Sequence, residues 1–185
     1  RNNNTEEFDP TTGYLSNYLG SKQRVTVCPS LKSHRDESWN GSFEKGCGGY
    51  GYNYWFLGSR CWDSGYGTFT KHSRRNEFKH HSKTVAFCDT GFLTSGHIIE
   101  YSMIEIPEWD FSPPYYEPDG WGMRPDPVIH FRHNNRANIL WLDGHVDSDK
   151  MSFTVDKYLS HGAGTAPLYH LGWFGPDNFT LFDQL

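Results

Sequence analysis

The chain has 185 residues, which is enough for one domain with a hydrophobic core and too few for two domains of ordinary size. Its net charge is -5 and its lysines and arginines are scattered, which argues against a nucleic-acid partner, since such partners select a clustered basic surface. Aromatic residues make up 17% of the chain, so we expect a core built largely from Phe, Tyr and Trp. No apolar run reaches the roughly 18 residues of a membrane span.

The first half of the chain alternates between short strand-like runs and polar loops. Residues 1–13 are polar and predict a flexible lead-in. Residues 24–28 (RVTVC) and 48–57 (GGYGYNYWFL) have the β-branched and aromatic content of strands. Residues 83–89 (KTVAFCD) are almost continuously apolar, which predicts a strand in the middle of a sheet.

Residues 91–127 contain six prolines and many aromatic residues, which predicts an irregular excursion packed through its aromatic side chains. Two alternating runs follow, residues 128–133 and 137–142, and Asn134, Asn135 and Arg136 join them. Because Asn tolerates the positive φ of tight turns, this pattern predicts a β-hairpin.

The last part of the chain is predicted from shorter signals. Residues 147–150 are expected to form a turn, and residues 151–159 a short strand or a helical turn. The aromatic segment from Leu171 onwards is expected to dock on the body of the domain, because so apolar a terminus is poorly solvated.

Four segments occur in an order that matches a known family. They are residues 25–30 (VTVCPS), residues 50–56 (YGYNYWF), residues 83–90 (KTVAFCDT) and the H-x9-DG arrangement of His133, Asp143 and Gly144. Together they resemble the prepilin-type family of type II secretion major-pseudopilin-like proteins that carries a C-terminal H-X9-DG signature. The resemblance covers residues 14–150 approximately.

The resemblance implies one α+β domain over residues 1–185, a pilin-like head with an antiparallel sheet, long irregular loops and little helix. Members of the family begin with a basic leader, a cleavage and methylation site and a long hydrophobic helix. The sequence opens on Arg1 and contains none of these, so we expect them upstream. The sheet would then pack on the C-terminal half of that helix, and an apolar strip would be exposed without it.

The function that the resemblance implies is structural. We expect a non-enzymatic subunit of a type II secretion-like pseudopilus or surface filament, with other pseudopilin subunits or the secretion machinery as partners. Its location would be extracytoplasmic, in the periplasm or at the cell surface, with the upstream helix as an inner-membrane anchor. No catalytic residue is predicted, because no G-x-S-x-G, H-E-x-x-H or phosphate-loop motif occurs.

A metal site is an open alternative. Asp89, His133, Asp143 and His145 could converge as ligands, and the resemblance to calcium-binding major pseudopilins admits a divalent ion such as calcium. Calcium, however, prefers oxygen ligands over imidazole. The competing interpretation is structural: His133 makes a hydrogen bond within the domain, and Asp143 with Gly144 forms a turn. A second acidic set could supply oxygens or belong to ordinary turns: Asp147, Asp149 and Asp156.

The tryptophans of the Pro-rich excursion leave a further functional alternative open. Trp109 and Trp121 lie in the Pro-rich excursion and could stack on sugar rings, which would make the chain a carbohydrate- or substrate-binding module on the same scaffold, with glycans as ligands.

The four cysteines form an even set without the C-x2-C spacing of a structural zinc site, a pattern that suits an oxidising compartment. Cys47 and Cys61 flank the aromatic segment and are predicted to form a disulfide. Cys28 and Cys88 could be buried thiols, partners of each other, or partners of an upstream cysteine.

Overall fold

The computed structural model describes residues 27–34, 46–57, 74–107, 126–154, 165–178 and 180–182. Within these ranges the strands are β1 Tyr50–Tyr52, β2 Val85–Asp89, β3 Phe92–Thr94, β4 His97–Ile99, β5 Ile129–His130, β6 Arg136–Trp141, β7 Val146–Lys150 and β8 Leu171–Gly172. The described helices are short 3₁₀ segments: Pro29–Ser33, Arg75–Glu77, His81–Lys83 and Ala166–Tyr169. None of the helices in these ranges is long and apolar enough to cross a membrane.

The main sheet has the strand order β1-β2-β6-β7, and all its neighbouring strands are antiparallel. β2 lies inside this sheet, between β1 and β6, as its nearly continuous apolar sequence predicts. Two small antiparallel pairs, β3 with β4 and β5 with β8, lie beside it. The predicted α+β class, with an antiparallel sheet, irregular loops and little helix, is confirmed in the described part of the chain.

The tight turn predicted within residues 128–142 is confirmed. The predicted pairing of the two strands on either side of it is wrong. Asn134 and Asn135 have φ values of 54° and 60°, and His133 and Arg136 exchange both backbone hydrogen bonds across them at 3.0 and 3.1 Å. The two runs then separate, because β2 and β7 already occupy both edges of β6. β5 pairs with β8 instead.

Two other sequence predictions are corrected by the structure. Residues 147–150, expected to form a turn, belong to β7, which forms a hairpin with β6. The excursion that starts at residue 91 contains the regular hairpin β3–β4, closed by Ser95 and Gly96 at φ values of 50° and 79°. The Ser-Gly pair between apolar residues was the signal for this turn.

The core lies between the main sheet and the C-terminal segment. Trp173, Phe174 and Phe182 are 0 to 1% exposed, so the described part of that segment docks on the body of the domain, as predicted. Trp173 donates its indole N–H to the carbonyl oxygen of Glu105 at 2.8 Å.

Asn53 connects the same segment to the sheet. It is completely buried, and its amide group donates to the carbonyl oxygens of Val85 at 2.9 Å and Phe182 at 3.0 Å. One amide side chain therefore links the end of β1, the start of β2 and the C-terminal segment.

Candidate functional site

Three segments that are far apart in sequence meet where β2 ends. Asp89 is the last residue of β2, and Cys28 directly precedes the 3₁₀ helix Pro29–Ser33, whose start Pro29 favours. The backbone N–H of Cys28 donates to Gly48 O at 3.0 Å, which fixes the Cys28 segment beside the start of β1. His133 opens the Asn134–Asn135 turn and completes the group.

Arg132 lies at the centre of this group, and its side chain is completely buried. Its guanidinium donates to the Asp89 carboxylate at 2.6 Å and to Cys28 Sγ at 3.2 Å. It also donates to the backbone carbonyls of Thr90 at 3.0 Å and Gly49 at 2.8 Å. A buried cation with these partners holds the three segments in one arrangement.

The imidazole of His133 faces the side chains of Cys28 and Asp89 through the same ring nitrogen. Its Nε2 lies 3.4 Å from Cys28 Sγ and 3.3 Å from Asp89 Oδ2. Its Nδ1 lies 3.5 Å from the hydroxyl of Ser30. Cys28 and Asp89 are buried, whereas the His133 side chain is 29% exposed, so the cluster reaches solvent through the imidazole.

This arrangement differs from a Cys-His-Asp catalytic triad. In a triad the nucleophile and the carboxylate contact different ring nitrogens, so that the imidazole can accept a proton from one side while it is held from the other. Here Cys28 and Asp89 both face Nε2. Cys28 is also only 2% exposed, so its thiol is not presented to a substrate in solution.

Two ionisable groups close to Asp89 and Arg132 have raised pKa values. Burial raises the pKa of the Tyr50 phenol, and the neighbouring Cys28 and Asp89 raise it further against the opposing charge of Arg132. Burial also raises the pKa of the Cys88 thiol well above its usual value. Cys28 and Cys88 are both buried free thiols.

His130, on β5, is a second unusual group close to the cluster. It is completely buried, and neither of its ring nitrogens has a hydrogen-bond partner among the residues that the structure describes. Burial, followed by the charges of Arg132, His34, His170 and His133, lowers the pKa of His130 to about 2. The imidazole is therefore neutral in the folded protein at any ordinary pH.

The structure divides the four ligands suggested by the sequence into two pairs. Asp89 and His133 meet in the cluster, where Cys28 joins them. Asp143 and His145 form a separate pair in the β6–β7 turn, where Asp143 accepts hydrogen bonds from the His145 backbone at 3.1 Å and from its ring at 2.6 Å. These bonds, the backbone one first, lower the pKa of Asp143.

The H-x9-DG signature is therefore split between the two ends of β6. His133 lies just before this strand and Asp143 just after it, so that about 15–20 Å of extended chain separates them. Gly144, at a φ of 98°, allows the turn into β7. The structural interpretation of Asp143 and Gly144, a turn fixed by local hydrogen bonds, matches this geometry.

Neither pair suits calcium, which takes six to eight oxygen ligands. Each pair supplies a single carboxylate, and that of Asp89 already binds Arg132 and the backbone N–H of Asn138 at 2.7 Å. Asp147 and Asp149 are exposed on β7, and each accepts from the next backbone N–H instead. Asp156 lies outside the described residues.

Several predicted residues lie outside the described part of the chain. They are Trp109 and Trp121, the candidate sugar-stacking residues, and Cys61, the predicted partner of Cys47. The carbohydrate-binding alternative and the disulfide therefore stay predictions.

Sequence reasoning missed Arg132 and the role of Cys28. Arg132 takes a polar position of the alternating run 128–133, two residues after His130, and such a position usually faces solvent, so the local pattern did not indicate its burial. A buried charge needs a partner, which the structure provides in Asp89.

Comparisons of the chain with protein-family models, with curated proteins and with solved structures gave no match.

Proposed function

We propose that this chain is the head domain of a pilin-like filament subunit, with a structural role in a type II secretion-like pseudopilus or surface filament. The four segments that resemble the prepilin-type family support this assignment, because their described parts interlock. Arg132 joins the Cys28 and Asp89 segments, and Asn53 of the Tyr-Gly-x-Asn segment binds the backbone of Val85. These contacts hold the strands and the adjoining segments together.

The observation that carries the proposal is a row of apolar side chains across the outer face of the main sheet. Tyr52 pairs with Phe87, Phe87 with Leu140, and Leu140 with Val146, so each strand contributes one member. Residues that pair directly lie on the same face of a sheet, and Leu140 alternates with Ile139, which is buried in the core.

This apolar row is not buried like the core. Tyr52, Phe87 and Leu140 are half-buried, and Val146 is 67% exposed. Aligned apolar side chains that keep contact with solvent are typical of a surface that another element covers. The neighbouring pair on the same face, Asn138 with Ser148, is polar, so the apolar surface is a narrow strip.

A narrow strip fits one helix better than a broad protein partner. We assign it to the hydrophobic N-terminal helix that the family resemblance implies, with that helix also as the inner-membrane anchor. Other copies of the subunit or components of a secretion machinery would then be the partners of the assembled head, outside the cytoplasm. No catalytic step belongs to this proposal.

The experiment expresses the gene, with its natural upstream coding region, in a bacterium that has a prepilin peptidase. It tests whether the protein assembles into filaments. Filaments are sheared from the cells or recovered from the periplasm, and this chain is located on them by immunogold electron microscopy. Val146→Asp places a charge in the strip, and we expect it to abolish assembly. Because Val146 is exposed, the variant domain keeps its fold, which circular dichroism checks.

Ser148→Asp is the matched control, because it adds the same charge on the same strand and face, outside the apolar row. We expect this variant to assemble like the unchanged protein. Equal assembly of the two variants, or filaments that never contain this chain, would contradict the proposal.

A further inference from the structure

We propose that Cys28, Asp89 and His133 form a binding site for one thiophilic divalent metal ion of the Zn²⁺ class. Each residue offers one ligand atom, and the three atoms lie within 4.8 Å of one another. The site is independent of the filament proposal, because it rests on the geometry of this cluster alone.

The spacing of the ligand atoms matches a tetrahedral ion. With metal–nitrogen and metal–oxygen bonds of about 2.0–2.1 Å and a metal–sulfur bond of about 2.3 Å, tetrahedral angles place nitrogen about 3.3 Å from oxygen and about 3.6 Å from sulfur. The observed distances from His133 Nε2 are 3.3 Å to Asp89 Oδ2 and 3.4 Å to Cys28 Sγ. Both distances from the imidazole nitrogen are therefore close to those of a tetrahedral site, and the thiol and carboxylate atoms lie within 4.8 Å of each other.

Each ligand also has the outer partner that metal ligands usually have. His133 Nδ1 faces the Ser30 hydroxyl at 3.5 Å, so the ring presents its other nitrogen to the cluster. Asp89 is held by Arg132 through one oxygen and by the backbone N–H of Asn138 through the other. Arg132 Nε donates to Cys28 Sγ, as an N–H group does to a metal-bound thiolate.

Binding of the ion changes the charges of the cluster. The ion displaces the thiol proton of Cys28, which is released to solvent, and a metal–sulfur bond replaces the S–H bond. The two positive charges of the ion then balance the thiolate and the Asp89 carboxylate, while the Arg132 guanidinium still donates to both. Without the ion, the Asp89 carboxylate and the Arg132 guanidinium balance each other beside the thiol. With the ion bound, the cluster carries one net positive charge, which water can screen from the partly exposed His133 side.

The ligand types decide which ion fits. A thiolate and an imidazole are ligands for Zn²⁺ and other soft or borderline ions, and a single carboxylate oxygen is insufficient for Ca²⁺ or Mg²⁺. His133 is the partly exposed member, so the ion enters from its side and a water molecule completes the coordination there.

The experiment is a titration of the full 185-residue chain with Co²⁺, which replaces Zn²⁺ and absorbs light, under a phosphine reductant that keeps thiols reduced. We expect a thiolate-to-cobalt charge-transfer band in the near ultraviolet and visible bands of tetrahedral intensity, both saturating at one equivalent. Addition of Zn²⁺ should bleach both bands.

Two variants remove ligands. Cys28→Ser should abolish the charge-transfer band, and His133→Gln should weaken Co²⁺ binding by at least about tenfold. Because His133 is partly exposed, the second variant keeps the test valid if loss of the buried thiol disturbs the fold.

The matched controls are His145→Gln and Cys47→Ser. The first removes the imidazole of the separate Asp143–His145 pair, and the second removes a cysteine outside the cluster. Both should bind Co²⁺ as the unchanged chain does. Absence of the charge-transfer band in the unchanged chain, or its persistence in Cys28→Ser, would overturn the metal site and leave the filament proposal untouched.

Discussion

Arg132 and Asp89 form a completely buried ion pair, with the guanidinium nitrogen 2.6 Å from the carboxylate oxygen. The pair joins the end of β2 to the segment after β5, and the remaining donors of Arg132 bind Cys28, Thr90 and Gly49. The second oxygen of Asp89 accepts from the backbone of β6. An ion pair with so many additional hydrogen bonds specifies how distant segments are placed.

Loss of Arg132 should therefore be costly. We expect Arg132→Met to lower the free energy of unfolding by about 3–5 kcal/mol, because it leaves the Asp89 carboxylate buried without its cation. Urea denaturation followed by circular dichroism measures the change. Arg136→Met is the control, because Arg136 is half-buried and donates to Ser148 O at 2.8 Å, and its loss should cost about 1 kcal/mol. Similar values for the two variants would contradict the central role of Arg132.

His130 should make the domain sensitive to acid. An unfolded histidine titrates near pH 6.5, whereas burial holds the pKa of His130 in the folded protein at about 2. Below pH 6.5 the unfolded state thus binds more protons, and stability falls as the pH falls. By linkage, His130 alone should cost the folded state about 2 kcal/mol between pH 7.5 and pH 5.

The variant His130→Leu should remove this contribution and flatten the dependence of the unfolding free energy on pH by the same amount. The groups that face His130, namely His34, His133, His170 and Arg132, remain in the variant. His80→Asn is the control variant, because it removes an exposed histidine and leaves His130 in place. An identical slope in His130→Leu would show that His130 does not stay neutral in the folded state.

Asn53 should be intolerant of substitution because it donates to two buried carbonyl oxygens. We expect Asn53→Ala to lower the free energy of unfolding by about 2–4 kcal/mol, since each unsatisfied carbonyl costs about 1–3 kcal/mol and neighbouring effects overlap. Asn53→Asp should be worse, because a carboxylate has no donor for these oxygens. Denaturation of Asn138→Ala, whose side chain is exposed, gives the reference, and a smaller loss in Asn53→Asp than in Asn53→Ala would refute this reasoning.

The Asn134–Asn135 turn gives a test of backbone conformation alone. Asn135 is exposed and has a φ of 60°, so a substitution there changes little besides the cost of positive φ. Asn135→Val should lower the free energy of unfolding by about 1–2 kcal/mol, whereas Asn135→Gly should leave it unchanged or raise it slightly. Thermal denaturation of the two variants makes the comparison, and equal melting temperatures would argue against a strained left-handed position.

Short-range patterns were sufficient to predict several elements. The apolar run of residues 83–89 identified the internal strand β2, and the asparagine pair identified a tight turn at positive φ. The aromatic C-terminal segment was predicted to dock, and Trp173 and Phe182 are buried. These features depend on backbone preferences and burial, which a residue and its near neighbours determine.

Partners across the fold could not be predicted in the same way. Cys28 and His133 are separated by 105 positions, and nothing local to either residue indicates the other. The alternating pattern of residues 128–133 showed that they form a strand-like segment, and competition for the edges of β6 decided that β5 pairs with β8. Such choices depend on which strands are already paired.

The sequence by itself determined the internal position of β2, the left-handed turn and the apolar character of the core, because each follows from local propensity and burial, whereas the α+β class was expected from the resemblance to a known family. Only the tertiary structure decided that His133 and Asp143 lie at opposite ends of β6, and that Cys28 and Arg132 complete a cluster with Asp89. The physical reason is that side-chain chemistry depends on distances in space, and those are fixed by long-range strand pairing and by burial of a charge that requires a partner.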